Sequence, residues 1–237
     1  MNILATSGGF QMGRRTRFTP GPLIDFMFQL AGSPQEPRFC YLGTAVGDSP
    51  AYTTAVYEAF VGTGVQVSHV ALFPMPNVED MRAHLLAQDV VWVGGGSVAG
   101  LLAMWRLHGL DEILQEAWTA GVVLGGVSAG SLCWHVGGTT DSFGPDLRPV
   151  TNGLGLLPYS NGVHYDSEEQ RRPLFHRLVS DGTLPAGYAT DDGVGLHYRG
   201  TDFVEAVTDT EGKAAYHVER GPDGAAVERK IVPRLLE

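Results

Sequence analysis

The sequence predicts an α/β fold, a three-layer α/β/α sandwich built on a mostly parallel central sheet. Two observations predict it. In the first half, short apolar runs alternate with stretches of helical periodicity, the pattern of parallel strands joined by crossover helices. At the end of that series a buried-type run, Gly121-Val122-Val123-Leu124, feeds Gly126-Val127-Ser128-Ala129-Gly130, a serine between glycines where a strand turns into a helix.

The predicted strands are Ile3 to Ala5, Phe39 to Leu42, Val65 to His69, Val90 to Val93 and Val122 to Leu124. Between them, Tyr52, Ala55, Val56, Ala59 and Phe60 form one helical stripe, and Asn77 with Asp80 is placed to cap a helix beginning near Met81. Val98, Leu101, Leu102 and Trp105 form another stripe, continued after Gly109 by Leu110, Ile113, Leu114, Ala117 and Trp118. Pro20-Gly21-Pro22 and Pro34 to Pro37 read as loops within the domain. Beyond Ser128 the chain changes to short strand-like pieces, one helix from about Ser167 to Val179, and alternating strands and hairpins from Val194 to Val232. No repeat or linker divides it, so residues 1–237 are expected to form one domain.

Composition narrows the function. A net charge of −10 repels a phosphate backbone, and no run of Lys or Arg offsets it, so a nucleic-acid partner is not expected. Two cysteines, Cys40 and Cys133, are too few for a disulfide framework, and no Cys/His cluster has zinc spacing. No metal site and no organic cofactor are expected. Met1 to Thr6 reads as a first strand rather than a signal peptide, and no apolar run approaches the roughly 18 residues of a membrane span. The expectation is a cytoplasmic protein without a membrane partner, a monomer or a homodimer.

The serine motif carries the chemistry. A sharp strand-to-helix turn forces its residue into a strained conformation, and flanking glycines leave room for it, so the hydroxyl stands clear as a nucleophile. The following helix aims its first amides at the same spot, where an oxyanion would develop. G-x-S-x-G also arises by chance in a chain with 32 glycines, so partners must support it. A second cluster, Val93-Gly94-Gly95-Gly96-Ser97, lacks both the dinucleotide fingerprint and the phosphate-loop lysine, and is read as lending a backbone amide to an oxyanion hole.

Of eight histidines, His164 lies in a turn-rich segment, Tyr159 to Asp166, where a loop at the sheet's carboxyl edge brings an imidazole to the serine. His197 and His217, in strand-like surroundings, are its competitors. His135 is read as lying two helical turns beyond the serine, out of reach. Asp141, in a Thr-Thr-Asp-Ser loop, is a candidate to orient the histidine, with Asp146, Asp191 and Asp192 as rivals and an Asx turn as the plain structural alternative. Cys133 reads as a packing residue.

Taken together, Gly94-Gly95-Gly96, the elbow at Ser128, Thr139-Thr140-Asp141, and His164 followed by Glu169-Gln170-Arg171 resemble the peptidase E family of serine peptidases, whose fold is like that of class I glutamine amidotransferases. The motifs come in the family's order and span most of the chain. The resemblance implies Ser128 as nucleophile, His164 as base and acid, Asp141 as third member, and oxyanion donors at Gly95, Gly96 and Ala129; Asp192 stays the alternative third member from the residue reading. The α/β-hydrolases share the order Ser, Asp, His, but their histidine usually lies near the carboxyl end.

One departure bears on substrate. Aspartyl dipeptidases of this family resemble Arg-Glu-Gln-Arg after the histidine, the first arginine pairing the substrate carboxylate, whereas this chain has Glu168-Glu169-Gln170-Arg171. Glu168 repels an amino-terminal aspartate, so strict Asp-X specificity is not expected unless Arg171, Arg172 or Arg148 substitutes. Glu168 and Arg171 are therefore the candidate substrate-binding residues. The expected activity is hydrolysis of dipeptides or short peptides by an acyl-enzyme route. A cyanophycinase-like hydrolase of β-aspartyl-arginine units and a catalytically silent small-ligand-binding module are the alternatives.

Overall fold

The computed structural model describes residues 1–237. Strand β1 (Asn2–Thr6) leads into a hairpin, β2 (Phe10–Met12) and β3 (Phe18–Pro20), and helix α1 (Pro22–Leu30). Then follow β4 (Arg38–Leu42), α2 (Pro50–Ala59), β5 (Gln66–Val70), α3 (Met81–Leu86), β6 (Val90–Val93), α4 (Val98–His108), α5 (Leu110–Ala120) and β7 (Val123–Val127). The second half comprises α6 (Ala129–Leu132), β8 (His135–Thr140), β9 (Arg148–Val150), β10 (Leu157–Gly162) and α7 (Arg171–Ser180). It ends in β11 (Gly187–Thr190), β12 (Val194–Arg199), β13 (Asp202–Thr208), β14 (Ala215–Arg220), β15 (Ala226–Ile231) and β16 (Arg234–Leu235).

The main sheet has the order β16-β13-β12-β1-β7-β6-β4-β5, with β1, β7, β6, β4 and β5 mutually parallel. Because successive residues of a strand point to opposite faces, each strand feeds two cores. On one face Leu4, Phe39, Trp92 and Val123 pack against Leu23, Ile24 and Met27 of α1 and Val56 of α2. On the other, Ile3, Cys40, Val91 and Leu124 pack with Leu101 and Trp105 of α4 and Leu114 and Trp118 of α5. This is the predicted sandwich, with all five predicted parallel strands in place.

A second sheet, β15-β14-β11-β10-β8-β9, is built from the second half of the chain. Its Leu157 and Ala215 join the α4/α5 core, while α7 covers its outer side with Leu174, Phe175 and Leu178 against Ala189 and Val218. No helix is long and apolar enough to cross a membrane.

Several elements differ from the sequence reading. Pro20-Gly21-Pro22 is not only a loop: Gly21 caps α1 and Pro22 occupies its first turn, where a missing N–H costs nothing. Asp80 alone caps α3, accepting from Ala83 N at 2.9 Å, while Asn77 is taken up by Ala71 N and His69. The helix after Ser128 ends at Leu132, so His135 opens strand β8 rather than lying farther along that helix. The later helix begins at Arg171 rather than near Ser167.

Candidate active site

Ser128 stands between β7 and α6 with φ 58° and ψ −111°, a conformation that costs a side-chain-bearing residue about 1–3 kcal/mol. The surroundings over-determine it. Its amide donates to Thr6 O at 3.0 Å, and its carbonyl accepts from Ser131 N and Leu132 N at 2.9 Å each. Gly130 lets α6 press against the sheet, since a Cβ there would fall 2.2 Å from Val93 O. The Ser128 side chain is partly exposed and makes no hydrogen bond within the protein.

The glycine loop after β6 lies beside it. A Cβ at Gly95 would sit 3.3 Å from Ser128 Cβ, which measures how close that backbone comes. Gly96 has φ +132° and no space for a side chain, a Cβ being 2.4 Å from Ala45 O. The amides of Gly95 and Gly96 donate to nothing within the protein. Ala129 contributes the first amide of α6, which helix geometry leaves without an intrahelical acceptor.

His164 follows β10, also at positive φ (53°). Its Nδ1–H donates to Asp192 Oδ1 at 2.6 Å, which fixes the tautomer that carries its acceptor on Nε2. Asp192 is held in turn: its amide donates to Asp166 Oδ1 at 2.9 Å, and Asp166 pairs with Lys213. Partial burial pushes the Asp166 carboxyl up, but the Lys213 bond and the Asp192 amide outweigh it and hold it below the usual carboxylate range. The neighbouring Asp191 turns inward, accepting from Ala214 N at 2.9 Å, and burial raises its pKa.

Nucleophile and histidine are moored to adjacent residues. Thr6 O takes the Ser128 amide, and Ser7 Oγ takes the His164 amide at 3.1 Å while sharing a 2.7 Å hydrogen bond with Thr190 Oγ1. Sequence reasoning missed Ser7, Thr190, Asp166 and Lys213. The one available signal was Thr6-Ser7-Gly8-Gly9, a small polar run at the carboxyl end of the first strand, where α/β sheets place their sites.

The other candidates lie elsewhere. Asp141 is exposed and makes no hydrogen bond to His164; with Glu168, Glu169 and Gln170 it lines a cleft of about 580 Å³. Arg171 is buried, its guanidinium divided between Glu168 (2.8 and 3.2 Å) and Thr139 O (2.5 Å). Arg172 spreads over the rings of Tyr165 and Tyr216, and Arg148 is exposed on β9. His197 bonds Asn2 Oδ1 at 3.1 Å, at the opposite end of β1 from Ser7, and His217 meets Arg229 on the β14–β15 hairpin. His135 is fully buried, donating from Nδ1 to Ser131 O at 2.9 Å, and burial pushes its pKa down to about 4. Burial also holds the Cys133 thiol well above its ordinary pKa, which keeps it protonated and unreactive.

A histidine with its tautomer set by an acid, its backbone anchored one residue along the chain from the anchor of a serine on a strained turn, together with two free amides, is the equipment of acyl transfer. Comparison with known proteins identifies the family. The model of peptidase family S51 matches residues 3–206. The chain is 43% identical over 184 residues to the uncharacterized peptidase YgaJ of Bacillus subtilis (strain 168), covering 78% of this chain and 79% of that one. It is 30% identical over 167 residues to a peptidase E of Streptomyces coelicolor, covering 70% of this chain and 64% of the relative. In structure it is similar to the crystal structure of a peptidase from an acI-B1 Actinobacterium, with a TM-score of 0.70, 16% identity, and coverage of 98% and 94% of the two chains. A sandwich with the site at the carboxyl ends of its parallel strands, matched along most of its length, thus assigns this chain to peptidase family S51.

Proposed function

We propose that this protein is a serine peptidase that hydrolyses dipeptides or short peptides through an acyl-enzyme on Ser128. The observation that carries the reading is the Asp192–His164 pair, moored through Ser7 one residue from the strand end that holds Ser128. In this mechanism His164 Nε2 takes the Ser128 proton as Oγ attacks the scissile carbonyl, and Asp192 stabilises the imidazolium that results. The amides of Gly95, Gly96 and Ala129 receive the oxyanion. His164 then returns the proton to the departing amine, and a water activated by the same nitrogen releases the acyl group. Asp192, rather than Asp141, orients the histidine.

Strict specificity for an amino-terminal aspartate is not part of this reading. Glu168 stands where the aspartyl dipeptidases resemble arginine, and Arg171, the nearest cation in sequence, is committed to Glu168 and Thr139. The test is release of free amino acids from a panel of Asp-X, Glu-X, Arg-X and neutral dipeptides by wild type and Ser128→Ala. Turnover lost in the variant, with labelling of Ser128 by a serine-reactive phosphonate, is the expected result. Turnover equal in both proteins overturns it.

The acidic cleft of Asp141, Glu168 and Glu169 favours a second reading, hydrolysis of β-aspartyl-arginine units with the arginine in that cleft. Cleavage of β-Asp-Arg in preference to every α-linked dipeptide selects it.

A further inference from the structure

Bordering the glycine loop lies a cavity of about 330 Å³, lined in part by the oxyanion glycines Gly95 and Gly96 and separate in its lining from the acidic cleft. Its floor is Gly94, Gly95 and Val127, the residues immediately before and beside Ser128. Its walls come from four separate elements: Phe10 and Phe18 of the β2–β3 hairpin, Tyr52 and Val56 of α2, Trp92 of β6, and Tyr41 of β4. No charged side chain lines it. We infer that this cavity binds an aromatic or large aliphatic side chain of a residue flanking the scissile bond, and so sets the substrate preference of the peptidase activity proposed above, on which the inference rests.

The walls are prearranged for a ring. Phe10 meets Trp92 edge-on with centroids 6.0 Å apart and lies 5.8 Å from Phe18, which in turn lies 6.3 Å from Tyr52. These are the separations at which aromatic rings attract one another; Trp92 is buried behind them, while Phe10, Phe18 and Tyr52 are half-buried and offer surface to a further ring. The volume exceeds the roughly 150 Å³ cavity that suffices to hold benzene. Burial pushes the Tyr41 hydroxyl up to about 12, so it stays a neutral phenol at working pH. Arg17 covers the outside, its guanidinium 4.4 Å from the Tyr52 centroid and 5.3 Å from that of Phe18, which braces the wall without placing a charge among the lining groups.

A carboxylate entering this space would lose its hydration and find no cation among the lining side chains, Arg17 being engaged on the rings of Tyr52 and Phe18, whereas a phenyl group gains the value of burial. Adjacency to Ser128 makes the gain relevant to reaction, because a side chain seated there holds the neighbouring carbonyl at the nucleophile.

The experiment compares kcat/KM for Ala-Ala, Phe-Ala, Ala-Phe, Leu-Ala, Ala-Leu and Asp-Ala on wild type, Tyr52→Phe and Tyr52→Glu, with thermal melts of each. The inference expects one aromatic series, Phe-Ala or Ala-Phe, to exceed Ala-Ala by about tenfold or more. Tyr52→Phe retains that ratio and Tyr52→Glu lowers it, by putting a carboxylate in the wall. The same dipeptides are titrated calorimetrically into Ser128→Ala protein, which reports binding whether or not turnover occurs. Tenfold tighter binding of a Phe dipeptide than of Ala-Ala without any turnover leaves the cavity assignment standing and removes the peptidase reading. Turnover that depends on Ser128 but ranks Asp-Ala first, or shows no gain from Phe or Leu in either position, overturns the inference and leaves the peptidase reading intact. If Tyr52→Glu does not fold, the wild-type ratios and the titrations decide alone.

Discussion

The two halves of the candidate site are held by different means. The Ser128 half is fixed by backbone: a strained turn, close packing at Gly130 and a glycine loop whose Gly96 no other residue fits. The His164 half is fixed by side chains from distant parts of the chain, through Asp192, Asp166, Lys213 and Ser7. Backbone devices leave glycine signatures in a short stretch of sequence, whereas side-chain devices are assembled only when loops from several strands converge. The first kind is read from one stretch of sequence; of the second, the sequence offers His164 and Asp192 only among rivals and hides Ser7, Asp166 and Lys213.

The largest effect is expected at the nucleophile. Ser128→Ala should lower kcat/KM by about 10⁵-fold or more while leaving the melting curve near that of wild type, as measured by dipeptide hydrolysis and calorimetry. A residual rate within a few-fold of wild type would remove the backbone half from the chemistry altogether.

Next comes the choice between the two acids. Asp192→Asn should lower kcat by about 10³ to 10⁴, because the amide no longer holds His164 in the required tautomer. Asp141→Asn should change it by less than about threefold. The reverse ranking would hand the orienting role to Asp141 and show that the base half rearranges during turnover.

Stability against pH probes the junction of the halves, where buried His135 opens β8 directly after the elbow helix. The folded ring titrates near 4 and the unfolded one near its ordinary 6.5, so between those values the unfolded chain binds more protons. This contribution is fully present above about pH 6.5 and lost as pH falls toward 4, on the order of 3 kcal/mol in total. Urea melts at several pH values should show it. A His135→Gln variant whose stability falls as steeply over the same window would assign the effect to other groups.

The smallest effect is expected at Ser7. Ser7→Ala removes the acceptor of the His164 amide, worth about 1 kcal/mol, and should lower kcat about fivefold with little change in KM. An unchanged kcat would mean that Asp192 alone holds the imidazole.

Legibility followed the same division. The five parallel strands and the stripes of α2, α4 and α5 were readable because burial on both sheet faces demands uninterrupted apolar runs, and crossover helices demand one apolar face. Helix α1 was hidden behind Pro20-Gly21-Pro22, where proline marks a helix start as readily as a loop. The second sheet was seen only as strand-like pieces, because its partners lie far apart in sequence: β10 pairs with β8 and β11, and β11 with β14. That arrangement puts Asp141 beyond the end of one neighbour of β10 and Asp191-Asp192 beyond the other. The sequence offers His164 both acids; in the fold the residue stands at positive φ and its ring meets Asp192.

The mooring at Thr6 and Ser7 has a mechanical consequence. Adjacent Cα atoms are separated by about 3.8 Å across a rigid, planar peptide. The two sheets each carry one member of the proposed catalytic pair, and a slow breathing motion between them would ordinarily open and close the gap between serine and imidazole. With both amides tied to one link of the chain, such a motion carries serine and imidazole along together, as two pointers fixed to a single shaft. A displacement of that link moves both groups alike, so the spacing between them follows their own short tethers rather than the separation of the two sheets.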